Sequence, residues 1–307
     1  HKVIMTPGKK CYLDYYQESP EFAPLAIGGF LPLDTVYNYN PLPAELTPEE
    51  QAYIIGVQAN IWGEYIQTPE YFEYMAFPRL LAMSEVQWTQ PEHKDFESFA
   101  RRLDKEFERL DYCGVNACRN FYEVNQAGAW NKSQQTYEVT LNTFCPDADI
   151  YYAVNDSTVN TSSSLYKTPI PLDEDATVYS AVYRSGKPLG KVTRKSFAVN
   201  KATGCDYTCN PEAGWEHLNK GFGLTDGRRG YARDMRRWIS FYQDTVQIVV
   251  ELKKPQKVKE VAFSSLWRPV NEIWPARAMG VSVSMDGQTV IPVGTKRLTY
   301  DFTLTEG

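Results

Sequence analysis

The chain has 307 residues, 43% hydrophobic and 23% charged, which is enough length and apolar surface for two or three folded domains. Its net charge of −6, with no dense Lys/Arg block, excludes the electrostatic footprint of a nucleic-acid or anionic-membrane binder. No apolar run approaches the roughly 20 residues that a membrane-crossing helix requires. The chain opens at His1 and runs straight into Val3-Ile4-Met5, with no charged and apolar leader, as expected of an internal piece of something longer.

Val3-Ile4-Met5 reads as a strand leading to Cys11-Tyr12-Leu13-Asp14. A Pro- and Tyr-rich connection follows, and a second strand signal spans Ile54 to Trp62; two strands separated by a long crossover predict parallel β/α units. Thr68 is placed to cap a helix with Pro69 at its first position and Glu70 in its first turn. Pro78 interrupts that helix, and the pattern restarts from Arg79 to Trp88. In this stretch Arg79 reads as a structural residue paired with a nearby carboxylate, and Glu85 and Trp88 as helix-packing residues. A longer helix is predicted from Phe96 to Tyr112, with Phe96, Phe99, Leu103, Phe107 and Leu110 on one face, ending near Gly114.

From about Tyr122 the pattern changes to short alternating runs, at Thr136–Leu141, Asp149–Val154 and Ala176–Tyr183, with Ser162-Ser163-Ser164 as a polar loop and Arg184 to Pro188 as a hairpin tip. These predict an antiparallel sandwich to about Asn200. Lys201-Ala202-Thr203-Gly204 reads as a linker into further strands at Val246–Leu252, Val258–Phe263 and Val281–Met285, the last closed by the turn Asp286-Gly287. Six cysteines, at 11, 113, 118, 145, 205 and 209, are scattered through a chain too large to need them as a disulfide framework, and most read as buried thiols. Cys205 and Cys209 have the spacing of a bridge or a metal-ligand pair, but His1, His93 and His217 fall in no ligand pattern, so no metal and no cofactor is expected. The 14% aromatic content suits sugar stacking as well as ordinary sandwich core.

The motifs at the first two strands narrow the reading. Val3-Ile4-Met5, Tyr12-Leu13-Asp14, Gln58-Ala59-Asn60-Ile61-Trp62-Gly63-Glu64-Tyr65 and Glu73-Tyr74-Met75-Ala76-Phe77-Pro78-Arg79-Leu80-Leu81-Ala82 together are similar to the last two β/α units of glycoside hydrolase family 20 β-N-acetylhexosaminidases. The resemblance implies a partial (β/α)8 TIM barrel over residues 1–120, with Tyr12 and Asp14 at the end of the seventh strand and Trp62 and Glu64 at the end of the eighth. It implies an exo-acting, retaining glycosidase in which the substrate's own acetamido oxygen attacks the anomeric carbon. Asp14 and Glu64 suit acceptance of hydrogen bonds from the sugar hydroxyls, Trp62 suits an apolar wall, and Tyr12 suits the acetamido carbonyl. The opposing reading of these four residues is strand-end packing with incidental polar tips. The family's Asp-Glu catalytic pair belongs upstream of His1; Asp173-Glu174-Asp175 reads as a solvated loop, so this chain alone is expected to contain no catalytic acid and to be inactive.

Ala148-Asp149-Ile150-Tyr151-Tyr152, Leu165–Ile170 and Tyr183–Lys187 resemble the immunoglobulin-like C-terminal domain of chitobiase-type enzymes, placed at 121–203. Leu224-Thr225-Asp226-Gly227, Trp238, Val246–Leu252 and Ser284-Met285-Asp286-Gly287 resemble a discoidin (factor 5/8 C-terminal type) jelly roll at 204–307, stopping short after Phe302, with Trp267 and Trp274 as sugar platforms or core residues. The implied partner is the terminal N-acetylhexosamine of glycans, and the implied location of the parent protein is periplasmic or secreted. The alternative is a non-catalytic carbohydrate-binding or scaffold segment whose partial barrel is a remnant.

Overall fold

The computed structural model describes residues 1–212, 214, 223–232 and 238–299. It divides the chain into two compact units, His1–Ala129 with Glu138–Phe197, and Trp130–Tyr137 with Ala198–Gly307.

The first unit begins with β1 (Val3–Met5), a one-turn helix α1 (Gly8–Cys11), α2 (Leu33–Tyr37), α3 (Pro48–Gln51) and β2 (Ile54–Val57). β1 and β2 pair in parallel, Val3 against Ile54 and Met5 against Val57, as the long crossover predicts. The Pro- and Tyr-rich connection between them contains α1, α2 and α3. Thr47 caps α3 through a reciprocal pair with Glu50, its hydroxyl accepting from the Glu50 N–H and its own N–H donating to the Glu50 carboxylate.

Three helices follow: α4 (Pro69–Ala76), α5 (Arg79–Trp88) and α6 (Phe96–Tyr112), with the limits expected from the capping residues. The Thr68 hydroxyl accepts from the Tyr71 N–H at 3.2 Å, and the Asp95 carboxylate accepts from the N–H groups of Glu97 and Ser98. Gly114 closes α6 at a φ of 72°, a conformation that costs glycine nothing. The buried residues of α5 are Arg79, Ala82, Met83 and Val86, a single i, i+3, i+4, i+7 stripe. Trp88 does not pack: it is 88% exposed at the end of the helix, beyond the last residue of that stripe. Glu85 forms an ion pair with Arg102 across to α6.

The apolar face of α6 joins the helical and sandwich parts of the unit. Tyr37 of α2 stacks on Phe99 with ring centroids 4.9 Å apart and meets Phe96 edge-on at 5.3 Å. Farther along the same face, Phe107 lies against Phe121 and Tyr122, and Phe96 meets Phe144 edge-on. Polar groups reinforce the contact. Asp104 accepts from the Tyr122 hydroxyl at 2.7 Å and from Arg184 Nη1 at 2.7 Å, while Arg184 Nη2 donates to the carbonyl of Pro146.

The sandwich strands are β3 (Asn125–Asn131), β4 (Thr136–Asn142), β5 (Asp149–Val154), β6 (Ser164–Leu165), β7 (Ile170–Leu172), β8 (Ala176–Arg184), β9 (Lys187–Pro188) and β10 (Thr193–Phe197). One sheet has the order β10-β8-β5-β6 with β9 paired to β8, and another has the order β3-β4-β7. The alternation along β4 buries Tyr137, Val139 and Leu141, and β8 is buried along most of its length. The turn Ser185-Gly186, both at positive φ, joins β8 to β9 at the expected hairpin tip. Asp173, Glu174 and Asp175 are exposed.

In the second unit β11 (Asp206–Asn210) pairs antiparallel with β12 (Gln247–Glu251), and β13 (Ala278–Val283) with β14 (Ile291–Arg297). The expected strand at Val258–Phe263 does not form: Val258, Val261 and Phe263 are all exposed, so its alternation has no core to face. Asp286 organises the turn after β13 by accepting from the N–H groups of Gln288 and Thr289. Phe302 and His217 lie outside the described residues. All six cysteines, Cys205 and Cys209 included, are unbridged. Among the described residues no cluster of three His, Cys, Asp or Glu side chains is arranged to hold a metal, and no helix is long and apolar enough to cross a membrane.

Gly190, between β9 and β10, approaches the backbone of the segment leaving α6 so closely that a Cβ there would stand 2.3 Å from the Tyr122 carbonyl oxygen. Gly190→Ala is therefore expected to destabilise the first unit by about 1–3 kcal/mol, the usual cost of overpacking. A lower urea midpoint with an unchanged denaturant slope is the predicted result, and an unchanged midpoint would contradict the close approach.

Candidate functional site

After β1 the chain does not continue directly to Tyr12. Thr6 and Pro7 lead into α1, whose single turn returns the backbone to the side of the segment after β2. The parallel pairing then resumes as a bridge between Tyr12 and Asn60. The Asn60 N–H donates to the Cys11 carbonyl at 2.9 Å, and the Leu13 N–H donates to the Asn60 carbonyl at 2.8 Å. Gln58 Nε2 donates to Asn60 Oδ1 at 2.7 Å, and Asn60 Nδ2 donates to Thr6 Oγ1 at 2.5 Å. This ladder places Tyr12 and Asp14 beside the segment carrying Trp62 and Glu64, beyond the carboxyl ends of β1 and β2.

The four residues fall into two pairs. Tyr12 and Trp62 form a tilted aromatic contact, 6.3 Å between centroids, with the indole 52% exposed and available to a ligand. Tyr15 lies behind Tyr12 at 5.9 Å. Its ring occupies the space above Gly29, where a Cβ would come within 2.4 Å and where φ is +68°. Asp14 and Glu64 form the second pair. Asp14 is only 5% exposed, yet its Oδ1 has no hydrogen-bond partner among the described residues. Glu64 is exposed and close enough for its charge to act on Asp14.

Burial raises the Asp14 carboxyl above its ordinary value. A hydrogen bond from its own backbone N–H opposes the rise, the Glu64 charge adds to it, and the cation of Arg79 opposes it. Arg79 was expected to pair a carboxylate by hydrogen bonding. Instead its guanidinium, 0% exposed, donates to four backbone carbonyls: Nη1 to Tyr15 and Leu31, both at 2.9 Å, and Nη2 to Leu13 at 2.5 Å and Met75 at 2.6 Å. The sequence reading placed the residue as structural but not its carbonyl contacts, although one signal was present: a lone arginine at the first position of a helix's apolar stripe. Tyr15 and Gly29 were also missed, because their contact joins two loops that no periodicity links.

Trp267 and Trp274 belong to the second unit. Trp274 is 68% exposed beside a short turn closed by Arg268 and Ile273, whereas Trp267 is half-buried.

The parallel pair with helices in its crossover is an α/β arrangement, and carboxylates and an exposed indole lie beyond its carboxyl ends. Residues 1–91 match the catalytic domain of glycosyl hydrolase family 20, and residues 125–194 match the chitobiase/beta-hexosaminidase C-terminal domain. Over these two stretches the chain is therefore similar to part of a family 20 catalytic domain followed by a chitobiase-type C-terminal domain. A beta-hexosaminidase of Porphyromonas gingivalis is 53% identical over 117 residues, which are 38% of this chain and 15% of that protein. A beta-N-acetylhexosaminidase of Cellulomonas fimi is 33% identical over 33% of this chain and 20% of its own length. Among solved structures, the family 20 exo beta-N-acetylglucosaminidase of Vibrio harveyi in complex with N-acetylglucosamine shares 38% identity over 38% of this chain and 19% of its own, with a TM-score of 0.34. The chain thus spans about a fifth or less of the length of these relatives.

The raised Asp14 value has a sign that can be measured. The folded chain binds this proton more tightly than the unfolded chain does, so the ionised carboxylate costs stability as pH rises from the ordinary aspartate range through the folded value. Asp14→Asn, which cannot ionise, is expected to melt higher than the parent near neutral pH. Its advantage should shrink as pH falls, and thermal unfolding across pH would show a constant difference if Asp14 did not titrate in this way.

Proposed function

We propose that this chain supplies part of the substrate pocket of an exo-β-N-acetylhexosaminidase that removes terminal N-acetylhexosamine from glycans. The observation carrying the reading is Asp14: a carboxylate oxygen kept from water with no partner among the described residues is suited to a hydroxyl donated by a ligand. Glu64, exposed and electrostatically coupled to it, accepts from a neighbouring hydroxyl. Trp62 presents an indole face to the sugar, and the Tyr12 hydroxyl steadies the acetamido oxygen. The beta-hexosaminidase relatives support the same substrate class.

In this reading residues 1–120 form the last two β/α units of a (β/α)8 barrel, and hydrolysis retains configuration through attack by the acetamido oxygen. Tyr12 stabilises charge on that oxygen as the bond to the anomeric carbon forms, while the leaving group takes its proton from an acid on an upstream strand. Residues 121–203 form the chitobiase-type sandwich. Residues 204–307 form a discoidin-like module, with Trp274 as an exposed platform for sugar and Trp267 as its less accessible companion. The parent protein acts in the periplasm or outside the cell, where its glycans are.

Hydrolysis of a chromogenic N-acetyl-β-glucosaminide tests this reading, with the 307-residue chain and a version extended upstream to a complete barrel assayed side by side. Activity is expected only in the extended form. There, Trp62→Ala and Glu64→Gln should each lower kcat/KM by roughly ten- to a hundred-fold, the cost of losing a charged hydrogen bond or a stacking surface. Activity in neither form would favour a non-catalytic carbohydrate-binding or scaffold segment.

A further inference from the structure

Arg79 touches no position assigned to the sugar, yet its contacts converge on one that is. Of the four carbonyls it holds, Leu13 and Tyr15 are the residues on either side of Asp14. The other two, Leu31 and Met75, belong to the loop before α2 and to α4, so the clamp fixes the Asp14 segment to two further elements of the unit. A backbone gripped on both sides leaves the intervening side chain little freedom to turn, and here that side chain is a buried carboxylate with an open acceptor.

The charge arrangement has the same focus. A guanidinium removed from water requires a countercharge nearby. The groups that act on Arg79 are Cys118, Tyr74, Asp14 and Tyr71; those that act on Asp14 are Glu64 and Arg79. Burial lowers the arginine only to about 10 and raises Cys118 and Tyr74 above their ordinary values, and Asp14 is the one carboxyl among the four groups that act on the guanidinium.

We propose that Arg79 is the positioning residue of Asp14, clamping the carbonyls on both sides of it and standing as a buried cation whose charge favours the carboxylate. The clamp restricts where the carboxylate points and the charge offsets part of the cost of burying it, so the acceptor is placed before a ligand arrives. The consequence for glycan binding rests on the sugar reading of Asp14; the coupling between the two side chains does not.

The test follows the Asp14 carboxyl directly by carbon-13 NMR titration of the aspartate-labelled chain, with Asp14→Asn identifying its signal. Arg79→Gln, which removes the cation, is expected to raise the Asp14 midpoint by about one pH unit or more, the usual effect of a neighbouring opposite charge. Arg79→Lys, which keeps the charge but cannot hold four carbonyls, should leave the midpoint near that of the parent while amide exchange of the Leu13–Tyr15 segment accelerates. Should Arg79→Gln fail to fold, citrulline introduced at the same position by nonsense suppression keeps a planar fork of N–H donors without charge, and it should raise the midpoint in the same way. An unmoved midpoint in the folded neutral variant would overturn the proposal, as would unchanged exchange of Leu13–Tyr15 in Arg79→Lys. If the midpoint and the exchange both respond while Asp14→Asn in the extended form leaves hydrolysis intact, the positioning role stands and the sugar role of Asp14 falls.

Discussion

A cation with no access to water, its two terminal nitrogens held by main-chain oxygens, is the constraint on which the first unit depends. Arg79 ties the strand-end segment, the loop before α2 and the end of α4 to one guanidinium. None of those carbonyls lies in a sheet where a neighbouring strand would satisfy it, and a buried carbonyl left unpaired costs about as much as a lost hydrogen bond. The planar fork of an arginine reaches several oxygens at once, which an ammonium does not. The irregular path from Cys11 to Leu31 is thus stabilised by a side chain from a helix far along the sequence.

That path holds the four motif residues at unequal depth. Asp14 sits below the surface and Trp62 and Glu64 sit on it, with Tyr12 between, its ring bounded by Trp62 on one side and Tyr15 on the other. Gly29 belongs to the same arrangement, because its missing side chain is what admits the Tyr15 ring. The aromatic members are fixed by packing, and the backbone on both sides of Asp14 by the Arg79 hydrogen bonds. The two kinds of constraint meet within a few residues of chain.

Local features were legible in the sequence wherever a local rule governed them. Thr68, Asp95 and Gly114 marked helix ends because capping is a matter of adjacent residues, and the alternation along β4 and β8 marked strands because one face had a core to meet. The Val258–Phe263 run had the same alternation and formed no strand, since pattern alone does not say whether a partner surface exists. The motif residues Tyr12, Asp14, Trp62 and Glu64 were found through resemblance, but the turn of α1 that brings the first two into place was not, nor was the role of Arg79. Both depend on contacts across long stretches of chain that neither a period of 3.6 nor one of 2 encodes. Short strands such as β6 and β7 were missed for a related reason, being held by neighbours rather than by their own composition.

The helix α6 has one face shared between α2 and the sandwich, and it lies between the two stretches that match family models, residues 1–91 and 125–194. A boundary drawn where sequence similarity stops therefore passes beside the element that binds the two parts together. Recombination that exchanged the sandwich for that of a relative, leaving α6 behind, would pair Phe107 and Asp104 with foreign surfaces. Moving α6 along with the sandwich would in turn take Phe96 and Phe99 away from Tyr37, so neither side of the helix is a clean seam.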